Sequence, residues 1–407
     1  MATELVAKLH QWGVAGPPRP LARSPGRIET VVPGRFEPTP YGPCFVTEAC
    51  YPVATAQGAI PLATALTLTP VARRILARQA PLELVDATRA VFIDTETTGL
   101  AGGTGTYVFL VGLGYFDGPV LRIRQYFMRH PGEEAALLAA VGAHLARYPL
   151  WVTFNGKAFD VPLLETRYLC WRRQPAPQPA LHLDLLPWAR RLWRRRLPSC
   201  ALASLERHVL GVQRWHDIPS WAIPALYFDY VRRGRAAPLR TVFAHNTYDL
   251  LSLVALLGVV GQVLAQPAPY LARVDATALA RLYADAGLAP AAARWCAEGL
   301  AQVPAAERGT VCRVLAHALR RGGHHEAAAQ LWQRLAEEHG PWRLTAYLEL
   351  AKYHEAQRRD YPAAIRALEA ALALLAVART PPAACQQHQL ERRLGRLYAR
   401  LHQRARP

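Results

Sequence analysis

The sequence predicts an α/β chain in which a mixed sheet with flanking helices is followed by an all-α repeat region. Three observations carry this expectation. From residue 91 to about 186 the apolar residues fall into strand-length runs, separated by Gly and Asp-Gly turns. The elements there follow the order strand, strand, strand, helix, strand, helix, strand, which suits helices packed on a mixed sheet. After Pro267 and Pro269 the pattern becomes almost purely helical, and Ala292, Ala328 and Ala364 recur at a spacing of 36.

Residues 1–88 are rich in Pro, Gly and β-formers, as in PGRFEPTPYGPCFVTEACYPV, and read as an irregular extension with a few short β segments. LTPVARRILARQ, with Pro70 near its start, is the first helix signal. The second region, 89–266, opens with AVFID, TYVFLVGLGYF and VLRIRQYF, three strands expected to pair antiparallel. PGEEAALLAAVGAHLARY has helical spacing with acids in its first turn. LWVTF is a fourth strand, VPLLETRYLCWRR a helix and LHLDLL a fifth strand. In the third region, 275–405, three segments of similar small-residue pattern suggest helix pairs resembling tetratricopeptide-like repeats, whose concave face would take a protein partner. Trp295 and Trp332 read there as core or groove anchors.

About half of the 407 residues are apolar, a globular rather than a disordered composition. The net charge of +18, from 48 Lys and Arg against 30 Asp and Glu, points to a polyanionic partner, most simply nucleic acid. There is no run of about twenty apolar residues and no signal-peptide layout, so a cytoplasmic chain without a membrane partner is expected. The seven cysteines are scattered without a CxxC pair, which argues against a disulfide framework or zinc knuckle and for reduced, mostly buried thiols.

The chemistry concentrates in DTETTGL, residues 94–100, placed directly after the apolar AVFI. Residues two apart on a strand share a face, so Asp94 and Glu96 crowd two carboxylates into one space. Such a pair needs a proton or a cation, and a metal is the functional reading; a turn after a strand is the structural one. Asp160, in FNGKAFD, follows a strand across the turn Asn155-Gly156-Lys157 and opens a helix, as either a ligand or an N-cap. In FAHNTYDLLSL, read as a helix start, His245 and Asp249 are four apart and share a helical face. A carboxylate to hold a metal and an imidazole to take a proton from water would divide the work of hydrolysis.

DTETTGL, FNGKAFD and HNTYD together resemble the three motifs of the four-acid (DEDD) 3′-to-5′ exonucleases of the ribonuclease H superfamily. Residues about 30–265 look like the YprB-like family of ribonuclease H-fold exonucleases, through GGTGTYVFLVGLGYF, HLDLLPWARRLWRRRL and DIPSWAIPALYFDYVRRG as well. The resemblance implies a ribonuclease H-like sheet, with Asp94, Glu96, Asp160 and Asp249 as ligands of two divalent ions, Mg2+ or Mn2+. It implies that His245 orients or deprotonates the attacking water, and that Thr95 and Leu100 contact the terminal nucleotide. Asn155 and Lys157, in the turn before Asp160, are further candidate substrate contacts. One departure stands out: three residues separate His245 from Asp249, the spacing of the branch that carries Tyr at this position, so Tyr248 is an alternative to His245.

PWARRLWRRRLP interleaves Arg190, Arg191, Arg194, Arg195 and Arg196 with Trp188 and Trp193. That pattern fits either a single strand gripped by arginines and stacked on aromatics, or a buried aromatic stripe with a solvated basic face. Asp184 reads as a structural cap more than as part of the site, and IPSWAIPALYFDYVRRG as a helical lid. The expected function is a metal-dependent nuclease that removes nucleotides from the 3′ end of DNA or RNA. A nucleic-acid-binding scaffold with little turnover is the opposed reading, and endonuclease action at the same site is a third. The oligomeric state stays open.

Overall fold

A computed structural model describes residues 27–99, 104–171, 176–214, 217–377 and 384–404. They form two compact units interleaved along the sequence: Met1–Thr67, Glu83–Pro187 and Ala201–Val259 make one, and Leu68–Leu82, Trp188–Cys200 and Val260–Pro407 the other.

The first unit is built on a seven-stranded sheet. In chain order its strands are β1 (Arg35–Thr39), β2 (Gly42–Pro52), β5 (Ala90–Thr97), β6 (Val108–Asp117), β7 (Val120–Phe127), β8 (Leu150–Thr153) and β9 (Leu181–Asp184). Between β2 and β5 the short strands β3 (Ala56–Gln57) and β4 (Ile60–Pro61) pair with each other. Across the large sheet the order is β1-β2-β7-β6-β5-β8-β9. The β5–β6, β6–β7, β7–β2 and β2–β1 pairs are antiparallel, whereas β5–β8 and β8–β9 are parallel. The mixed α/β sheet expected from the sequence is thus present. What the sequence did not reveal is that the supposed irregular extension supplies an eleven-residue strand, β2, paired along the whole of β7.

Each connection has a local cause. Asp117 and Val120 pair across a two-residue loop whose first residue, Gly118, has φ +56°, the positive value that such a hairpin needs there. The parallel pairs require crossovers, supplied by the helices Glu134–Leu145 and Asp160–Trp171. β5 is buried almost throughout, as befits a central strand covered on both faces. Helix Ile223–Arg233 helps to cover it, and Tyr227 stacks on Phe109 of β6 with ring centroids 4.1 Å apart.

HNTYD is not a helix start. Its helix runs Leu239–Ala265 and begins six residues before His245, immediately after Pro238. By length and composition this helix could cross a membrane, but 78% of its most apolar window is buried inside the protein. The apolar run serves as core.

In the second unit the helices Ala276–Asp285, Ala289–Gly299, Ala305–Arg321, His325–Glu337, Arg343–Tyr353 and Tyr361–Ala376 follow one another through short connections, before Ala384–Arg404. Ala292, Ala328 and Ala364 are all buried, each on the second helix of a successive pair. Trp295 and Trp332 are buried as well, so they are core residues. Among the described cysteines Cys44, Cys296 and Cys312 are buried, but Cys50 and Cys170 are exposed, so burial is less general than expected.

A buried ion pair ties the first unit together just before β6. Arg167 donates to Glu134 with Nη2 to Oε2 at 2.7 Å, Trp171 Nε1 donates to the same oxygen at 2.7 Å, and Arg167 Nη1 donates to the Thr104 carbonyl at 2.6 Å. The pair therefore anchors chain that leads from DTETTGL into β6. Arg167→Met leaves the Glu134 carboxylate buried without its charge partner, and should lower stability by about 3–5 kcal/mol in denaturant titrations.

Candidate active site

The four acids singled out in the sequence come from three elements of the first unit. Asp94 and Glu96 lie on β5, where the ladder to β6 shifts register between Glu96 and Thr97, an irregularity that ends regular pairing beside the acids. Asp160 is the first residue of its helix, and Asp249 lies on Leu239–Ala265. Burial, followed by the Asp249, Glu96 and Asp160 charges, holds the Asp94 carboxyl well above the usual carboxylate range. Glu96 is raised in the same way, by burial and then by Asp249 and Asp160. Burial pushes Asp160 up to about 6, against the hydrogen bond from the Thr95 hydroxyl. The Asp249 and Asp160 charges thus reach both Asp94 and Glu96, which places the four side chains in one electrostatic neighbourhood.

The turn before Asp160 has its own support. Asn155 has φ +64°, a left-handed conformation that Asn tolerates better than most residues. Asp184, at the end of β9, accepts from the backbone N–H groups of Asn155 at 2.8 Å, Lys157 at 3.1 Å and Leu186 at 3.0 Å. It is the structural cap expected, and it fixes the loop that delivers Asp160. The Asn155 and Lys157 side chains are exposed at this turn, Thr95 is turned to Asp160, and Leu100 lies outside the described residues.

His245 and Asp249 share a helical face, with Nε2 3.7 Å from Oδ2. Their surroundings were not legible in the sequence. Burial raises the Asp217 carboxyl, but hydrogen bonds from His245 and Arg214 outweigh it and hold the group below its ordinary value. An ionised carboxylate can only accept, so the 2.8 Å contact makes His245 Nδ1 the donor, and in the neutral tautomer that keeps this proton the lone pair is on Nε2. Arg214 reaches three acids: Asp249 at 2.5 Å, Asp217 at 2.9 Å and Glu206. Burial lowers its tendency to stay charged, but Asp249 and Glu206 outweigh that and keep it a cation. Glu206 is in turn bound by Ser252, whose hydroxyl accepts from Gln57 Nε2 at 2.8 Å. A single arginine in GVQR gives no sequence signal for this role. Asp217, directly before the stretch read as a lid, is visible only once the fold brings it to His245.

Beside His245, Asp249, Asp217 and Arg214 lies an open cavity of about 840 Å³, whose other walls include Glu206 and Arg207. Among the described residues no group of three or more His, Cys, Asp or Glu side chains is arranged to grip a metal ion directly. Asp94 is instead engaged by Asn246, Asp160 by Thr95 and Asp249 by Arg214. The donor set nevertheless suits a hard divalent cation: four carboxylate residues, Glu96 and Asp160 buried and Asp94 and Asp249 partly buried, with Arg214 the cation paired to Asp249.

The basic segment is placed differently from these residues, in the second unit from Trp188 onward. Trp188 and Trp193 are buried, so they are core residues and cannot stack on bases. Arg196 donates to the Val274 carbonyl at 3.1 Å and to Glu307 at 2.8 Å, and Arg195 lies 3.6 Å from Asp275. Arg191 lies over the Trp188 ring at 5.4 Å, whereas Arg190 and Arg194 are exposed.

Comparison with known proteins agrees with the geometry. Residues 91–260, from β5 into the long helix, match the ribonuclease H superfamily model. A Bacillus subtilis (strain 168) protein described as the uncharacterized protein YprB is 31% identical over 284 residues, covering 69% of this chain and 68% of that protein. The chain belongs to the YprB-like ribonuclease H-fold family. Its antiparallel β7-β6-β5 and parallel β5-β8-β9 segments form the ribonuclease H-like sheet, and the matched region is a nuclease-like domain. In this member β1 and β2 lie outside the matched residues yet complete the same sheet.

Gly112 shows how closely the long helix approaches. It pairs with Asp94, and a Cβ there would meet Asn246 Oδ1 at 2.0 Å and Leu250 Cδ1 at 2.8 Å. Gly112→Ala should push the helix from the sheet, lowering unfolding free energy by about 1–3 kcal/mol in a urea titration.

Proposed function

We propose that this chain is a cytoplasmic, metal-dependent 3′-to-5′ exonuclease that hydrolyses phosphodiester bonds in single-stranded DNA or RNA. The observation that carries the reading is the gathering of Asp94, Glu96, Asp160 and Asp249 from a strand and two helices, with Asp94 and Glu96 raised by burial and then by the charges of Asp249 and Asp160. A binding surface has no use for four carboxylates that repel both each other and a polyanion.

The acids would hold two divalent ions, Mg2+ or Mn2+, whose chemistry is to lower the pKa of a bound water and to stabilise the departing 3′ oxygen. His245 is oriented by Asp217 and presents its Nε2 lone pair on the Asp249 side, where it can accept the proton of the attacking water. Tyr248 is nearly half exposed on the same helix and remains the substitute that the motif spacing suggests. Arg214 offsets the acid charge and adds a guanidinium to the wall of the cavity, where the anionic substrate would lie. Exposed Arg190 and Arg194 are proposed to contact phosphates, and the helical unit to recruit a protein partner. The Arg214–Asp249 pair also favours the second reading, a nucleic-acid-binding scaffold with little turnover, because it occupies a proposed ligand.

A 5′-labelled single strand should shorten stepwise with Mn2+ or Mg2+ and stay intact in excess EDTA. Asp94→Asn and Asp160→Asn should each lower the rate at least about 100-fold. The scaffold reading is supported instead if wild type and both variants show equal residual activity on DNA, RNA and hybrids, and internal cuts would make the enzyme an endonuclease. Separately, the Arg190→Ala, Arg194→Ala double variant should weaken strand binding and flatten its log-log salt dependence by about 0.7 per lost phosphate contact. Unchanged slopes would leave these arginines as solvated surface.

A further inference from the structure

A row of polar residues crosses the sheet where apolar packing would be the cheaper choice. Thr47 on β2 faces Gln125 on β7, Gln125 faces Gly112 on β6, and Gly112 faces Asp94 on β5. Thr47 is 6%, Gln125 5% and Asn246, from the long helix, 0% exposed. Polar groups buried this deeply are costly unless they are paired, and networks of them are sensitive to every member.

All of these groups are paired, and the pairing has a direction. The Thr47 hydroxyl donates to Gln125 Oε1 at 2.9 Å. The Gln125 amide is thereby turned toward the long helix, where Nε2 donates to the Phe243 carbonyl at 2.8 Å and to Asn246 Oδ1 at 2.9 Å. With its oxygen engaged, Asn246 points Nδ2 at β5 and donates to Asp94 Oδ2 at 2.7 Å and to the Asp94 carbonyl at 3.2 Å. Gly112 leaves the gap through which Asn246 reaches. If Gln125 ceased to donate, Asn246 could rotate its amide and turn an oxygen toward the carboxylate.

We infer that Thr47, Gln125 and Asn246 are positioning residues, a relay of hydrogen-bond polarity that fixes the plane of the Asp94 carboxylate for the ion it is proposed to hold. The inference rests on the reading of Asp94 as a metal ligand. It makes β2, which lies outside the residues matched to the family model, a working part of the site. Partners that orient a ligating side chain typically contribute 10–100-fold in metal affinity.

The test is Mn2+ binding to the full chain, followed by calorimetry and by the electron paramagnetic resonance signal of free Mn2+, with thermal unfolding recorded beside it. Gln125→Met keeps the volume and removes the donor, and should weaken Mn2+ binding about tenfold. Thr47→Val keeps the shape and removes the hydroxyl; it should weaken binding in the same direction, by about threefold. Thr47→Ser, which retains the hydroxyl, should bind as wild type does. If Thr47→Val and Gln125→Met melt earlier but the folded proteins bind Mn2+ as wild type does, the row serves packing alone and the inference is overturned. Should Gln125→Met fail to fold, the Thr47→Val and Thr47→Ser comparison decides. Asp94→Asn separates the two levels: if it binds Mn2+ like wild type, the ligand reading itself falls and the inference with it.

Discussion

The constraint on which the rest of the first unit depends is the crowding of negative charge at the end of β5. Two carboxylates two residues apart on a buried strand cannot both be ionised without compensation, and the fold adds Asp160 and Asp249 to the same neighbourhood. Three residues of the first unit meet that demand. Asn246 gives Asp94 a donor, Thr95 gives one to Asp160, and Arg214 gives Asp249 a whole charge.

These compensations are themselves anchored, so the site is supported from behind. Arg214 is held by Glu206, Glu206 by Ser252, and Ser252 by Gln57 of the short strand β3. Asn246 is held by Gln125 and Gln125 by Thr47. Asp184 pins the turn that delivers Asp160, and the Arg167–Glu134 pair pins chain just before β6. Two of these lines of support, through Gln57 and Thr47, begin in residues before β5, in the stretch that looked least informative. Such an arrangement is what precise chemistry needs, because a side chain is only as well placed as the group that orients it.

The acids were legible because their sequence context is anomalous. Asp94 and Glu96 interrupt an apolar strand, Asp160 opens a helix after a tight turn, and Asp249 sits in an otherwise apolar helical run. The tryptophans of PWARRLWRRRLP show the opposite case: aromatic and basic residues at helical spacing suit both a stacking platform and a core stripe, and Trp188 and Trp193 proved to be core. Periodicity gives a face but not its neighbour, so it could not decide between them. The misplaced start of the long helix has a related cause, since the residue before Leu239 is Pro238 and not a capping Ser, Thr, Asp or Asn that would mark it.

The amino-acid sequence alone was enough to determine the strand and helix order, the mixed sheet, the helical second half and the acids on which the proposed chemistry rests. These follow from local pattern: apolar period, turn residues and charge in the wrong place. Only the tertiary structure decided that β2 joins the sheet, that Asp217 orients His245, that Arg214 neutralises Asp249 and that Gly112 must lack a side chain. Each of these is a contact between residues far apart in the chain, and hydrogen-bond partners over such separations are set by strand register and helix approach, which leave no periodic trace in sequence.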